Sequence, residues 1–502
     1  MHTKRFYLLA ILVLGCSGPV WSGDQPQWGE RYTRNMVSDE TGLPASFNPV
    51  TGENVKWQIP LGSQTYSTPV ISQGLLYIGT NNDHPRNDQH KGDRGVLLCL
   101  DSESGELVWQ LIVPKLSGDR YLDWPKEGIV SPATVDGDRV YMVSNRGEVM
   151  CLDIHGLSDG NDGPYQSEAE HMVPDGEQDI IELTDTDADI LWLYDLRAQA
   201  GVYQHDAAHA SILLVQDLLY LNTSNGVDNT HAVIRAPDAP SLVVLDKDTG
   251  ELVATDREGI GPNIFHCTWS SPALVRQNDR ELILFAGGNG VCYAFNPADS
   301  RQRNAALEKV WWYDGDPSAP KTKVHDYLRN RETSPSNIKS MPVYANGTLF
   351  LTLGGDIWWG KRKAWLQCVD IEGRGDISAS HQKWSYALQK HVCTTPSVYQ
   401  NMVFVGDCGH MLHCVHAETG QPLWTHKTDG DIWASTLVAD GKLYVATRRG
   451  SVYVFRASEK KELLHEIRLD GAINATPVAA NGVLYIATME TLYAFAKPQD
   501  ES

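Results

Sequence analysis

The sequence predicts an all-β fold, an eight-bladed β-propeller of four-stranded antiparallel blades whose ring is closed by an N-terminal strand. Three observations carry that prediction. One strand-and-turn unit recurs eight times, the composition suits short strands joined by tight turns, and the strand missing from the last unit is present near the start of the chain.

Each unit starts with a small hydroxyl residue and, in most copies, proline before an apolar strand. A glycine turn leads to an aromatic strand and a glycine loop to a strand ending Leu-Asp. Thr-Gly then leads to a strand ending in tryptophan. The copies begin near Ser67-Thr68-Pro69, Ser131-Pro132, His209-Ala210-Ser211, Ser270-Ser271-Pro272, Ser340-Met341-Pro342, Thr394-Thr395-Pro396, Ala434-Ser435-Thr436 and Ala475-Thr476-Pro477. Four short strands with turn signals between them make one blade. The last copy stops at Leu492-Tyr493-Ala494-Phe495, while Val55-Lys56-Trp57-Gln58 is a fourth strand with no blade before it. Joining the two closes the ring and removes an open sheet edge.

In a chain of 502 residues, 43 Gly, 15 Trp and 20 Tyr against 21% charged residues favour strands and turns over helices. The chain reads as a signal peptide over 1–22 followed by a single propeller over 23–502. Lys4 and Arg5 precede an apolar core from Phe6 to Leu14, too short to span a membrane. Two processing routes are open. Val20-Trp21-Ser22 offers cleavage before Gly23, whereas Leu14-Gly15-Cys16 resembles a lipoprotein box that would lipidate Cys16. Either route gives a periplasmic or extracellular protein. A formal charge of −21, from 63 acidic and 42 basic residues, argues against nucleic acid or an anionic membrane surface as partner.

The stretch from Cys99 to Trp109 resembles the tryptophan-docking motif of quinoprotein alcohol dehydrogenases. Cys414 to Trp424 repeats it with His416 at the acidic position, and Val244 to Ala254 repeats it without the tryptophan. The resemblance covers nearly the whole mature chain and is closest to the exported quinoprotein-like propellers. It extends to the outer-membrane assembly lipoprotein, a scaffold of the same blade count. It implies a tryptophan packed between blades, and a ligand face around the axial channel. Pyrroloquinoline quinone with calcium is the cofactor it brings into consideration. The adjacent Cys-Cys pair of the dehydrogenases is absent here, and their catalytic Asp and calcium ligands find no residue-by-residue match.

An insertion at 154–190 interrupts the second blade. It carries no Lys or Arg and nine acids from Glu168 to Asp189, the composition of a solvated loop. Its Asp159-Gly160-Asn161-Asp162-Gly163 has oxygen ligands at alternate positions like a calcium loop, but without the spacing or closing Glu of an EF-hand.

The register gathers the loops entering each innermost strand, and those between second and third strands, on one face of the ring. It places there Tyr203, His205, Asp206, His209, Asn225, Asp228, His266, Trp269, Asn289, Asn337, Lys339, Asp356, Trp358, His391, Asp407, Asp431, Trp433, Arg448 and Arg449. Polar, titratable and aromatic groups in such number suit a polar planar ligand, and propeller mouths are also polar simply because they are wet. His205, His209, Asn225, His266, Trp269, Trp433 and Arg449 are the candidates for holding a cofactor. Asp228, Asp356, Asp407 and Asp431 are the candidates for a general base.

Cys99, Cys151, Cys368 and Cys414 share one third-strand position with Ala294 and Ala494, which makes them small core residues. In the sixth blade a turn at Gln400-Asn401 sets Cys393 opposite Cys408 and His391 opposite His410. Those four suit zinc or copper. Alternatively Cys393 and Cys408 form a disulfide, or Gly406 and Gly409 break the ladder and the side chains diverge. The leading functional expectation is a monomeric binding or scaffolding propeller, holding a small molecule or protein at the channel mouth or blade rims. The alternatives are a quinone-dependent alcohol or sugar dehydrogenase and an outer-membrane assembly scaffold.

Overall fold

The structure is a computed structural model and describes residues 23–178, 180–278 and 280–498. The export signal expected over 1–22, with Cys16, lies outside the described residues. Eight antiparallel sheets follow one another along the chain. The first blade is the meander Val70–Ser72, Leu75–Asn81, Arg94–Asp101 and Leu107–Pro114. The pattern recurs at 134–195, 213–255, 273–314, 336–387, 397–427 and 437–468. Two-residue inner hairpins such as Asn346-Gly347, Asp440-Gly441 and Asn481-Gly482 have positive φ at both positions, which matches the right-handed twist of the flanking strands.

The eighth blade is built from both ends of the chain. Val478–Ala480, Val483–Ala487 and Thr491–Phe495 are completed by Val55–Pro60, with Trp57 opposite Ala494. Hydrophobic clusters then lie between every pair of neighbouring blades, including the eighth and the first, where Leu76, Leu98, Tyr485 and Leu492 pack together. The ring is therefore closed by packing as well as by pairing.

Tryptophans join one blade to the next. Trp57, Trp109, Trp192, Trp384 and Trp424 donate their indole N–H to the carbonyls of Ser102, Ile154, Lys247, Ala417 and Ser458 in the following blade, at 2.8–3.1 Å. Each ring needs room on both sides. Across the sheet it faces a small residue, as in Cys99–Trp109, Cys151–Trp192, Cys368–Trp384 and Cys414–Trp424, so these cysteines are buried packing residues. On the next blade the rings of Trp57, Trp192 and Trp384 lie over the glycine of a Ser-Gly or Thr-Gly turn. A Cβ at Gly105 would stand 3.0 Å from the Trp57 ring, and one at Gly250 2.5 Å from Trp192.

The N-terminal segment does more than close the ring. Residues 25–38 bond to all eight blades, at the innermost strand of seven and just before it in the third. Gln25 bridges Ile71, Pro26 and Tyr32 accept from the backbones of Val135 and Leu274, and Thr33 and Met36 accept from those of Tyr344 and Val438. Asn35 pairs with Val398, Ser38 reaches Ala479, and Arg34 reaches Ser211. Arg34 is fully buried. Its guanidinium donates to the carbonyls of Pro272, Trp28 and Ser211 and to the Ser211 hydroxyl at 2.9–3.0 Å, and burial lowers its pKa to about 9.

Most of the acidic insertion is exposed, as its composition suggests, but a few of its residues are built into the fold. Met172, Ile181 and Leu183 pack into the core between the eighth and first blades, and Gln110 of the first blade exchanges backbone bonds with Thr186 and Ala188. Glu168 is fully buried, accepting from the Asn161 amide and the Ile190 N–H. Asp162 donates its backbone N–H to Asp189. The turn at 159–163 thus offers donors to two carboxylates, which are held by N–H groups in place of cations. The calcium-like spacing has a local structural use.

Two outcomes follow. Arg34→Met should lower stability by about 3–5 kcal/mol in urea unfolding, because four acceptors lose a charged donor, and Arg34→Lys should recover less than half of it, having no planar fork. Gly74 and Gly105 both have positive φ, but a Cβ at Gly74 meets nothing. Gly74→Ala should cost about 1 kcal/mol and Gly105→Ala clearly more, with the excess shrinking in a Trp57→Ala background.

Candidate functional site

Above the N-terminal segment the axial channel widens into a cavity of about 450 Å³. Trp28 of that segment lines its inner end. Loops entering the innermost strands supply Tyr66, Asp206, His209, His266, Trp269, Lys339, Cys393, Trp433 and Asn474. Loops between second and third strands supply His231, Trp358, Trp359 and Arg448, and the connection from first to second blade supplies Tyr121, Trp124 and Glu127.

One wall carries a buried charge cluster. Asp356 is fully buried, and its Oδ1 accepts from the backbone N–H groups of Trp358 and Trp359. Its Oδ2 lies 3.2 Å from His266 Nδ1, Lys339 Nζ and Asn337 Nδ2. Burial works against the carboxylate, but the charges of His266 and Lys339 overcome it and hold Asp356 well below the usual range. Burial would lower His266 too, and Asp356 with Cys267 lifts it to about 10. Lys339 also lies 3.6 Å from Cys267 Sγ and 3.8 Å above the Trp269 ring.

The opposite character marks the rest of the lining. His209 Nε2, His266 Nε2, Trp269 Nε1, Trp433 Nε1, Glu127 Oε2 and Asn474 Oδ1, with His205 Nε2 just behind them, are buried with no protein partner. Buried polar atoms are almost always paired, so this concentration around one aromatic cavity is a surface prepared for hydrogen bonds to something else. Burial, and then the negative charge of Asp206, raise Glu127 to about 8.

Of the residues expected at the mouth, Asp206, His209, His266, Trp269, Lys339, Trp358, Trp433 and Arg448 line this cavity. His205 is buried behind it, against His266 and His231. Asn225 is instead structural, bonding Tyr203 N and Ala236 O, and Arg449 is exposed outside the lining. The four aspartates proposed as a base are all engaged. Asp228 holds a turn through Thr230 and pairs with Arg235. Asp407 accepts from Gln389, Gly409 and His413, Asp431 pairs with His410 at 2.9 Å, and Asp356 is saturated as above.

The set His391, Cys393, Cys408 and His410 does not assemble. Cys393 and Cys408 meet as free thiols, and Cys393 raises Cys408 well above its ordinary value. His410 has φ +64 and turns away to Asp431, while both ring nitrogens of His391 are buried without a partner. Among the described residues, the metal-ligating atoms that do gather are those of His205, His231 and His266. Tyr66 holds the register position of Trp269 and Trp433, directly before a repeat start, and is legible there; His231, Tyr121, Trp124, Glu127 and Trp359 carry no signal in the repeat register. Their positions depend on contacts such as Asp206 N to Tyr121 O and Trp124 N to Asp206 O, both 2.6 Å.

Comparison with known proteins agrees with the fold. The profile of a family described as outer membrane protein assembly factor BamB matches residues 93–227 and 409–499. The assembly factor BamB of Yersinia pestis is 25% identical over 138 residues, covering 25% of this chain and 32% of that protein, so the match spans about a third of the relative. The crystal structure of BamB from Moraxella catarrhalis superposes with a TM-score of 0.52 at 12% identity, over 89% of this chain and 98% of that one. A quinohemoprotein alcohol dehydrogenase from Comamonas testosteroni gives 0.46 at 13% identity, over 96% and 82%. What the chain shares with the solved structure of the assembly factor is the propeller fold.

Because Glu127 is neutral in the fold up to about pH 8, the folded state keeps a proton that the unfolded chain releases above its ordinary carboxylate pKa. Stability should fall as pH rises through that window. Glu127→Gln should remove this slope, matching the native protein near pH 4 and exceeding it by about 2–4 kcal/mol at pH 8.5, as read by urea unfolding at each pH.

Proposed function

We propose that this chain is an extracytoplasmic binding propeller that holds a small polar, ring-bearing molecule, a sugar being the fitting class, in its axial cavity. The observation that carries the reading is the set of unpartnered buried polar atoms set among Trp and Tyr faces. Aromatic faces suit the C–H face of a sugar ring, and His209, Trp269, Trp433 and Glu127 offer the hydrogen bonds its hydroxyls require. The export-like start of the sequence supports a location outside the cytoplasm. No helix among the described residues is long and apolar enough to cross a membrane.

The quinone-dependent dehydrogenase reading is less well supported. The adjacent cysteine pair is absent, none of the four candidate aspartates presents a free carboxylate to the cavity, and Lys339 is committed to Asp356. The residues present do not suit that cofactor. A scaffold of outer-membrane assembly, binding protein at the blade rims, is favoured by the sequence match to the assembly factor.

Titrating the protein with a panel of mono- and disaccharides while following tryptophan fluorescence tests the cavity reading. A saturable change is expected, weakened at least tenfold in Trp269→Ala/Trp433→Ala and unaltered by Trp312→Ala on an outer strand. No saturable response to any sugar would set the cavity reading aside in favour of the rims.

A further inference from the structure

Three histidines from separate loops of the third and fourth blades converge on the cavity wall. His205 precedes the innermost strand of the third blade, His231 lies in that blade's loop between second and third strands, and His266 precedes the fourth blade. All three are buried, and one ring nitrogen from each lies within 4.8 Å of the others. We propose that His205, His231 and His266 form a binding site for a borderline divalent transition-metal ion such as zinc, with an open coordination position facing the cavity.

The hydrogen bonds behind the rings assign the free nitrogens. His205 Nδ1 is 2.6 Å from the Val227 carbonyl, which only accepts, so Nδ1 carries the proton and Nε2 presents its lone pair. His266 Nδ1 is 3.2 Å from Asp356 Oδ2, so it donates there, and a metal ion binds at Nε2 by displacing the proton of the imidazolium. Both Nε2 atoms are buried with no hydrogen-bond partner. A carbonyl or carboxylate behind each imidazole is the outer arrangement that orients metal-bound histidines and raises their basicity. His231 is placed by the turn that Asp228 holds, its backbone N–H donating to the Asp228 carbonyl at 2.9 Å, and Arg235 fixes Asp228 in turn.

The spacing agrees. Ring centroids are 4.6 Å apart for His205–His266, 4.9 Å for His205–His231 and 5.4 Å for His231–His266. Three imidazoles on a tetrahedral ion with bonds of about 2.0–2.1 Å place their centroids about 5 Å apart. Three imidazoles select zinc, copper, nickel or iron over calcium or magnesium. Asp206 Oδ1, 3.6 Å from His205 Nε2, adds negative charge beside the site, and the charge of Lys339 is matched by Asp356. His231 and His266 line the cavity, so an oxygen of water or of a bound molecule can complete the coordination. This site does not depend on the sugar reading, since it is built by the chain's own residues.

The test uses untagged full-length protein freed of metal by a chelator and titrated with Zn²⁺ by calorimetry and with Co²⁺ by visible absorption, no sugar present. One ion per chain is expected, with the intense visible bands of four-coordinate cobalt. His231→Asn, which tolerates the positive φ of +60 at that position, and His266→Asn should each weaken binding at least a hundredfold. His391→Ala, another buried histidine without a partner, should leave it unchanged. Thermal melts identify a variant that fails to fold, and His231→Asn, at the cavity edge, is the one expected to melt like the native protein. Failure of the native protein to bind, full affinity in a folded His231→Asn, or loss of binding in Cys393→Ser would each overturn the proposal. Repeating the sugar titration with and without Zn²⁺ keeps failure of the sugar reading separate.

Discussion

A buried arginine at the centre of the ring sets the terms for everything above it. Arg34 is fully buried and reaches carbonyls and a hydroxyl from the third blade, the start of the fourth and its own segment. A guanidinium suits that position because its fixed fork directs donors to several acceptors at once. It anchors a segment that reaches all eight blades and places Trp28 against the cavity. The same stretch of chain continues to Val55–Pro60, the strand that closes the ring. The axial stopper and the ring closure are therefore one covalent piece.

The cavity above it divides its polar groups into two kinds. Asp356 and Asp407 are held by N–H groups and neighbouring side chains, and Asp228 holds its own turn, so they shape loops. Glu127, His209 and the free nitrogens of His205 and His266 are left without partners. A buried group that the protein does not satisfy costs stability, and several such groups fall around this one volume. That is the usual mark of a site where the ligand supplies the missing half of each bond. The propeller carries this arrangement on loops, while its strands are committed to the ring.

Strand order and ring closure were legible because they rest on local pattern. Each blade repeats its turn residues, and Val55-Lys56-Trp57 stands out as an unpaired fourth strand. Cys99, Cys151, Cys368 and Cys414 could be placed because they share a register position opposite a docked tryptophan. The anchors of the largely exposed insertion were not legible because composition reports charge but not partners: Glu168 and Asp187 are buried on backbone N–H and side-chain amide and hydroxyl groups that no charge count reveals.

The sequence by itself determined the number of blades, their order, the closing strand and the face on which the loops gather. Those follow from a periodicity of apolar residues and turns that each unit carries within itself. Only the tertiary structure decided which mouth residues are free and which are engaged, that Asp206 draws Tyr121, Trp124 and Glu127 into the cavity, and that His231 joins His205 and His266. It also decided that His410 leaves the Cys393–Cys408 pair for Asp431. These outcomes depend on hydrogen bonds between loops far apart in the chain. No repeat encodes such bonds, because each partner lies in a different repeat.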